Sequence, residues 1–163
     1  MKAPFQLRLA PVALGAALLL LTGLATLSWR NTERLLDAVR WTEHTQRVVS
    51  EVRLVLVRIT DVETAGRGFA LTGDDSFLEP QRAAVDQLPA HIETLRTLTS
   101  DNAAQQRRLD ALEPLVQAKL DRNVYLISLR QEKGGEAATA AIQTKRGQEI
   151  MDDIRALLSQ MEE

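Results

Sequence analysis

D-V-E-T-A-G-R-G-F-A-L-T-G, residues Asp61 to Gly73, is the stretch on which the fold reading turns. Its second half is a stop signal. Gly66 and Gly68 each weaken a helix by roughly 1 kcal/mol relative to Ala. Thr72-Gly73-Asp74-Asp75 then reads as a turn, with Gly ending one helix and an Asp or Ser76 capping the next. Its first half carries Glu63 on the apolar stripe of its helix, with Arg67 one turn later on the same face. A carboxylate on an inner stripe calls for a partner, because an unpaired buried charge is expensive.

Working back from this stretch, neither Gly nor Pro occurs from Leu24 to Ala65. Leu35, Ala38, Thr42, Thr45, Val49, Val52, Leu56, Ile59, Glu63, Gly66 and Ala70 follow an unbroken 3-4 spacing, which is a heptad seam. Val48, Val55, Val62 and Phe69 form a second row beside it, suited to packing inside a bundle or against a second copy. Further back, residues 9–29 hold no charge, and at about 1.5 Å per residue they match a bilayer core of roughly 30 Å. Lys2 and Arg8 precede the run and Trp29 closes it at an interfacial position. The expectation is a transmembrane helix over 9–29, with 1–8 in the cytoplasm and 31–163 as an extracytoplasmic domain. A cleaved signal peptide ending at Gly23-Leu24-Ala25 is the rival, but its apolar region is usually about 7–15 residues. The first helix is expected to continue uninterrupted from the membrane into the domain.

Working forward, a second helix is predicted from Ser76 to Thr99 with Leu78, Val85, Leu88, Ile92, Leu95 and Leu98 inward. Pro89 is expected to kink it. Ser100-Asp101-Asn102 reads as a turn and cap. A third helix is predicted to Lys133 with Leu109, Leu112, Val116, Leu120, Val124 and Ile127 inward and Pro114 as a second kink. Gly134-Gly135 is a turn. A fourth helix is predicted from Glu136 to the end on Ala140, Thr144, Gly147, Met151, Ile154, Leu158 and Met161. No stretch alternates with period two. The fold class is therefore all-α: an N-terminal transmembrane helix continuing into an antiparallel four-helix bundle. The last heptad is unfinished at Glu163, so the expectation is a fragment, or an ectodomain whose second membrane helix is left out.

Composition narrows the functions. Cysteine is absent, which removes disulfides and thiolate metal sites. His44 and His91 are far apart, and Asp152-Asp153 diverge around a helix, so no metal site and no cofactor is expected. Residues 31–163 hold all 22 acidic residues and 17 of the 20 basic ones, a net −5. That balance argues against nucleic-acid binding. No Gly-rich phosphate loop or Ser/His/Asp spacing occurs, and no catalytic residue is assigned.

Four stretches resemble the CHASE domain of type 3, a sensory extracellular domain of bacterial receptors: W-T-E-H-T at Trp41–Thr45, D-V-E-T-A-G-R-G-F-A-L-T-G at Asp61–Gly73, D-N-A-A-Q at Asp101–Gln105, and G-Q-E-I-M-D-D-I-R at Gly147–Arg155. The resemblance implies a leading membrane helix, a second one after the bundle, and a cytoplasmic output such as a histidine kinase, cyclase or chemoreceptor-like module. It names no ligand.

The residues to watch follow from both readings. Glu63 with Arg67 forms either a structural polar cluster or a ligand contact, and Asp61 shares their stretch. Asp101 or Asn102 caps the third helix with Gln105 securing the cap, or the three hold a polar ligand. Trp41 and His44 share one face, as packing residues against the Asp101 turn or as a ligand wall. His91 is expected to be solvated. The leading expectation is a sensor at the bacterial inner membrane that relays helix displacement, working as a homodimer and receiving an unknown small ligand or periplasmic protein. The alternative is a partner-binding or spacer bundle. A small-ligand sensor keeps a cavity between its helices, whereas a spacer packs tightly throughout.

Overall fold

The computed structural model describes residues 6–162, leaving out the side chains of residues 6–13, 16–17 and 35–38. The predicted cytoplasmic N-terminus and the first part of the predicted span thus lie largely outside the described residues, as do the seam positions Leu35 and Ala38. The elements are α1 (Gln6–Thr72), a short 3-10 turn (Asp75–Phe77), α2 (Leu78–Leu98), α3 (Ala103–Gln143) and α4 (Arg146–Glu162). No strand occurs among the described residues. The chain divides into two units, Met1–His44 and Thr45–Glu163.

The first unit is helical. Its described large apolar side chains, Leu18 to Leu21, Leu24, Leu27 and Trp29, are all exposed. Thr22, Thr26 and Thr32 return their hydroxyls to carbonyls one turn back, and Trp29 Nε1 donates to Glu33 at 2.7 Å. Among the described residues no helix is long and apolar enough to cross a membrane.

The second unit is the bundle. The C-terminal part of α1 runs to Gly73, whose φ of 73° lets its N–H reach back to the Phe69 carbonyl at 2.7 Å. Asp74 then accepts the Ser76 N–H at 2.9 Å, which holds the Asp74 carboxyl below the ordinary carboxylate range. α2 returns, and Asn102 caps α3 by accepting the N–H groups of Ala104 and Gln105. α3 continues through Pro114, as α2 does through Pro89. It is interrupted at Gly134, where φ is 83° and ψ −178°. Beyond that point the chain runs back down the bundle.

Three sequence expectations change. First, the inward face of α1 is Val48, Val52, Val55, Ile59, Val62, Gly66 and Phe69, drawn from both predicted rows. Val49, Leu56 and Glu63 sit at its edge, so the seam is rotated. The row Val48, Val55, Val62 and Phe69 is buried within the single chain. Second, the fourth leg is two helices. It breaks at Thr144-Lys145, with Lys145 at a left-handed φ of 60°. Across the break the inward face shifts, so that Ala138 is buried while Ala140 and Thr144 are exposed. Third, the inner stripe of α3 passes from Leu109, Leu112 and Val116 to Lys119, Asn123 and Leu126, while Val124 is 61% exposed.

The core divides along the bundle. One end is aliphatic: Val48, Val52, Val55 and Ile59 meet Leu88, Leu95, Leu109 and Leu112 and the α4 residues Met151, Ile154, Leu158 and Met161. The other end, toward Gly73 and Gly134, has a small cluster of Ala70, Leu126 and Ala138 with Ala141 and Ile142 against it.

Candidate functional site

Between the large and small clusters the core is polar. Glu63 on α1 faces Lys119 on α3, with Nζ to Oε1 at 3.2 Å, and Arg67 approaches the same oxygen at 3.6 Å. Lys119 is only 4% exposed and also donates to the Gly147 carbonyl at 2.7 Å. One ammonium thus ties α1, α3 and the start of α4. Burial pushes the Lys119 ammonium below the ordinary lysine range, more than the Glu63 carboxylate holds it up. The partner that Glu63 requires is therefore chiefly the buried Lys119, with Arg67 as a second, outer cation.

Gly66 has a steric role here. A Cβ at Gly66 would overlap the Asn123 carboxamide, so the absent side chain is the space in which Asn123 lies. Gly68 does the same for the Phe77 ring, closing the start of α2 onto α1. The two glycines serve close approach between elements, and the helix passes through both. Asn123 is 4% exposed and its Nδ2 has no hydrogen-bond partner. A buried donor left in that state costs roughly 1–3 kcal/mol.

Arg122 lies one position before it. Its Nη2 donates to the Ala141 carbonyl at 2.5 Å and to Thr144 Oγ1 at 3.2 Å, closing the helix end before Lys145. Its guanidinium lies 5.1 Å from the Tyr125 ring centre, and its Nε is buried and unpartnered. Together these residues border a cleft of about 360 Å³ lined by Glu63, Arg67, Lys119, Arg122 and Asn123, with Leu126 and Ile142 as apolar wall. Gln143, Lys145 and Gln148 form its exposed rim.

The other sequence candidates lie elsewhere. Asp61 pairs with Arg58 at 3.0 Å, a half-buried contact along α1. Asp101 is exposed in the turn at the aliphatic end, beside the capping Asn102. Gln105 contributes only its backbone N–H to the cap, and its side chain donates to the Met161 carbonyl at 3.2 Å, fastening the end of α4. Trp41 and His44 belong to the first unit, where their rings meet edge to face at 6.4 Å. His91 is not simply solvated: its Nδ1 lies 2.8 Å from Glu51 Oε2, half-buried between α2 and α1. Lys119, Arg122 and Asn123 were missed because the sequence stripe was followed through apolar residues. Continuing the 3-4 spacing from Leu109, Leu112 and Val116 lands on Lys119 and Asn123.

Among the described residues no group of three or more metal-ligating side chains converges. The arrangement is an all-α bundle with a polar cleft between its helices. The sequence matches the family model of the CHASE3 domain over residues 38–163, and the chain belongs to that family. Its fold is shared by the histidine kinase HK9 sensor domain of Rhodopseudomonas palustris, known from a crystal structure. The two are 22% identical with a TM-score of 0.65, covering 71% of this chain and 91% of that one. No curated protein matches the chain.

Proposed function

We propose that this chain is the membrane-anchored input module of a bacterial receptor, most simply of a histidine kinase, and that it relays a small displacement of α1 against α4 across the bilayer. Membership of the CHASE3 family carries the reading, and the shared fold of the histidine kinase HK9 sensor domain supports the kinase output. The uncharged run of residues 9–29, with Lys2 and Arg8 before it, supports a span with its N-terminus inside. The row of exposed leucines from Leu18 to Leu27 needs an apolar surrounding, which lipid supplies.

The cleft favours a small-ligand sensor over a spacer, since a spacer has no use for an unfilled polar interior. It lies where three elements meet, so occupancy there biases the packing of α1 against α4. The absence of cysteine offers a direct test. Ser100→Cys and Lys2→Cys, introduced singly, are treated with a membrane-impermeant maleimide in intact cells. Labelling of Ser100→Cys without lysis, and of Lys2→Cys only after lysis, is the expected result. Protection of Ser100→Cys in intact cells sinks the reading.

A further inference from the structure

The sensory reading leaves the ligand unnamed, and the cleft beside Glu63 restricts its chemistry. Four cationic side chains, Arg67, Lys119, Arg122 and Lys145, face a single acid, Glu63. Glu63 is already engaged by Lys119 and Arg67. The cleft therefore keeps an excess of positive charge, in a bundle whose residues 31–163 are net negative. An anion is the ligand that such a local field selects.

Two orphaned groups point the same way. Asn123 Nδ2 and Arg122 Nε are both N–H donors, both buried, and both without a partner. Native interiors rarely leave such donors unmet. Both belong to side chains that line the cleft. Asn123 is wedged over Gly66, so its carboxamide is held in place before anything binds. Such preorganisation lowers the entropy lost on binding. The wall formed by Leu126 and Ile142 is apolar and offers nothing to an ion's far side. At about 360 Å³ the cleft is near the lower end of small-molecule sites and exceeds the needs of an inorganic ion.

Resting on the sensory reading, we propose that the cleft between α1, α3 and α4 binds a small organic monocarboxylate: its carboxylate is held among Arg67, Arg122 and Asn123, whose orphaned donors turn to it on binding, and its apolar body lies on Leu126 and Ile142. Glu63 and Lys119 form the floor that positions Arg67 and the start of α4. Because the cleft is bordered by Gln148 on α4 as well as by Arg67 on α1, a bound carboxylate draws the two signalling helices onto one object. The binding event is thereby coupled to the packing that the receptor relays.

The test uses the full chain in lipid nanodiscs, melted under far-ultraviolet circular dichroism at constant ionic strength. Benzoate is the probe and sulfate the control. At about ten times its Kd, benzoate is expected to raise Tm by roughly 3–6 °C, with sulfate giving less than a third of that rise. Arg67→Gln and Asn123→Leu are expected to abolish the benzoate shift. Asn123→Leu keeps the side-chain shape and removes the orphaned donor, so its own Tm without probe is expected to hold or rise, which separates lost binding from lost folding. No benzoate shift in the wild type, an equal shift with sulfate, or an unchanged shift in Asn123→Leu each overturns the proposal. If the maleimide labelling places Ser100 outside and benzoate fails, the ligand class falls alone. If labelling places it inside, the receptor reading falls whatever benzoate does.

Discussion

The two ends of the bundle are built from different materials. At the end near Asn102 and Met161, inner positions are Val, Ile, Leu and Met, and the exposed charges sit at the margin: Arg96 bridges Asp110 at 2.9 Å and Glu113 at 2.6 Å between α2 and α3. At the end near Gly73 and Gly134, the inner positions Val62, Phe69, Leu126 and Leu129 are interspersed with Gly66, Ala70, Ala138, Lys119 and Asn123. Apolar burial at about 25 cal/mol per Å² gives the first end most of the bundle's stability. The second end forgoes part of that stabilisation, spending core positions on an ion cluster, an orphaned amide and a cleft. The lesson is a division of labour along one set of helices: a well-packed end that holds the fold, and a softer end that can respond.

The sharpest way to break that comparison is to truncate one side chain at each end. Leu95→Ala or Ile154→Ala, both fully buried in the aliphatic cluster, should lower unfolding free energy by about 3–4 kcal/mol in urea titration. Leu126→Ala, beside the cleft, should lose about 2 kcal/mol or less, because that site is already poorly filled. Equal losses at the two ends would refute the division.

Next in size is the ion cluster. Glu63→Ala strands the buried Lys119 and should lower stability by about 3 kcal/mol, at the low end for a broken buried pair because Lys119 keeps its bond to Gly147. The double change Glu63→Leu with Lys119→Met should return to within about 1 kcal/mol of the wild type. A double-mutant cycle measures the difference. The same cluster gives a pH signature. Lys119 has a folded-state pKa below its unfolded value of about 10.5. The folded state then binds fewer protons than the unfolded state in the window just beneath that value. Stability should rise with pH there, and Lys119→Met should remove the rise. Urea midpoints measured across the alkaline range check the sign.

Smaller still is the steric fit of Asn123 over Gly66. Gly66→Ala should lower stability by about 1–2 kcal/mol in spite of the better helix propensity of Ala. The same substitution in an Asn123→Ala background should be neutral or stabilising. The smallest effect belongs to the cap at the aliphatic end, where Asn102→Ala should lower stability by about 1 kcal/mol.

How much of this was legible in advance varies with the element. The turn at Gly73, the cap at Asn102 and the break at Gly134 were readable because each depends on local chemistry: a positive φ, an Asx side chain within reach of two N–H groups, a residue with no Cβ. The need of Glu63 for a partner was readable too, as was the resemblance carried by Asp61–Gly73. The identity of that partner was not, because Lys119 lies on another helix and any cation in the right register would have met the need. The stripe of α3 was misread at Val124, since apolar residues normally mark the inside and here the inside is polar at Lys119 and Asn123. The break at Thr144-Lys145 carried no glycine or proline to announce it.

By itself, then, the sequence determined an all-α bundle, the places where its helices turn, and membership of a sensory family, because periodicity, capping and glycine act over a few residues. Tertiary structure alone decided the rotation of the α1 seam, the joining of Glu63, Lys119 and Gly147, and the cleft that leaves Asn123 without a partner. Those features depend on the relative register of helices distant in sequence, and register is fixed only when their side chains meet.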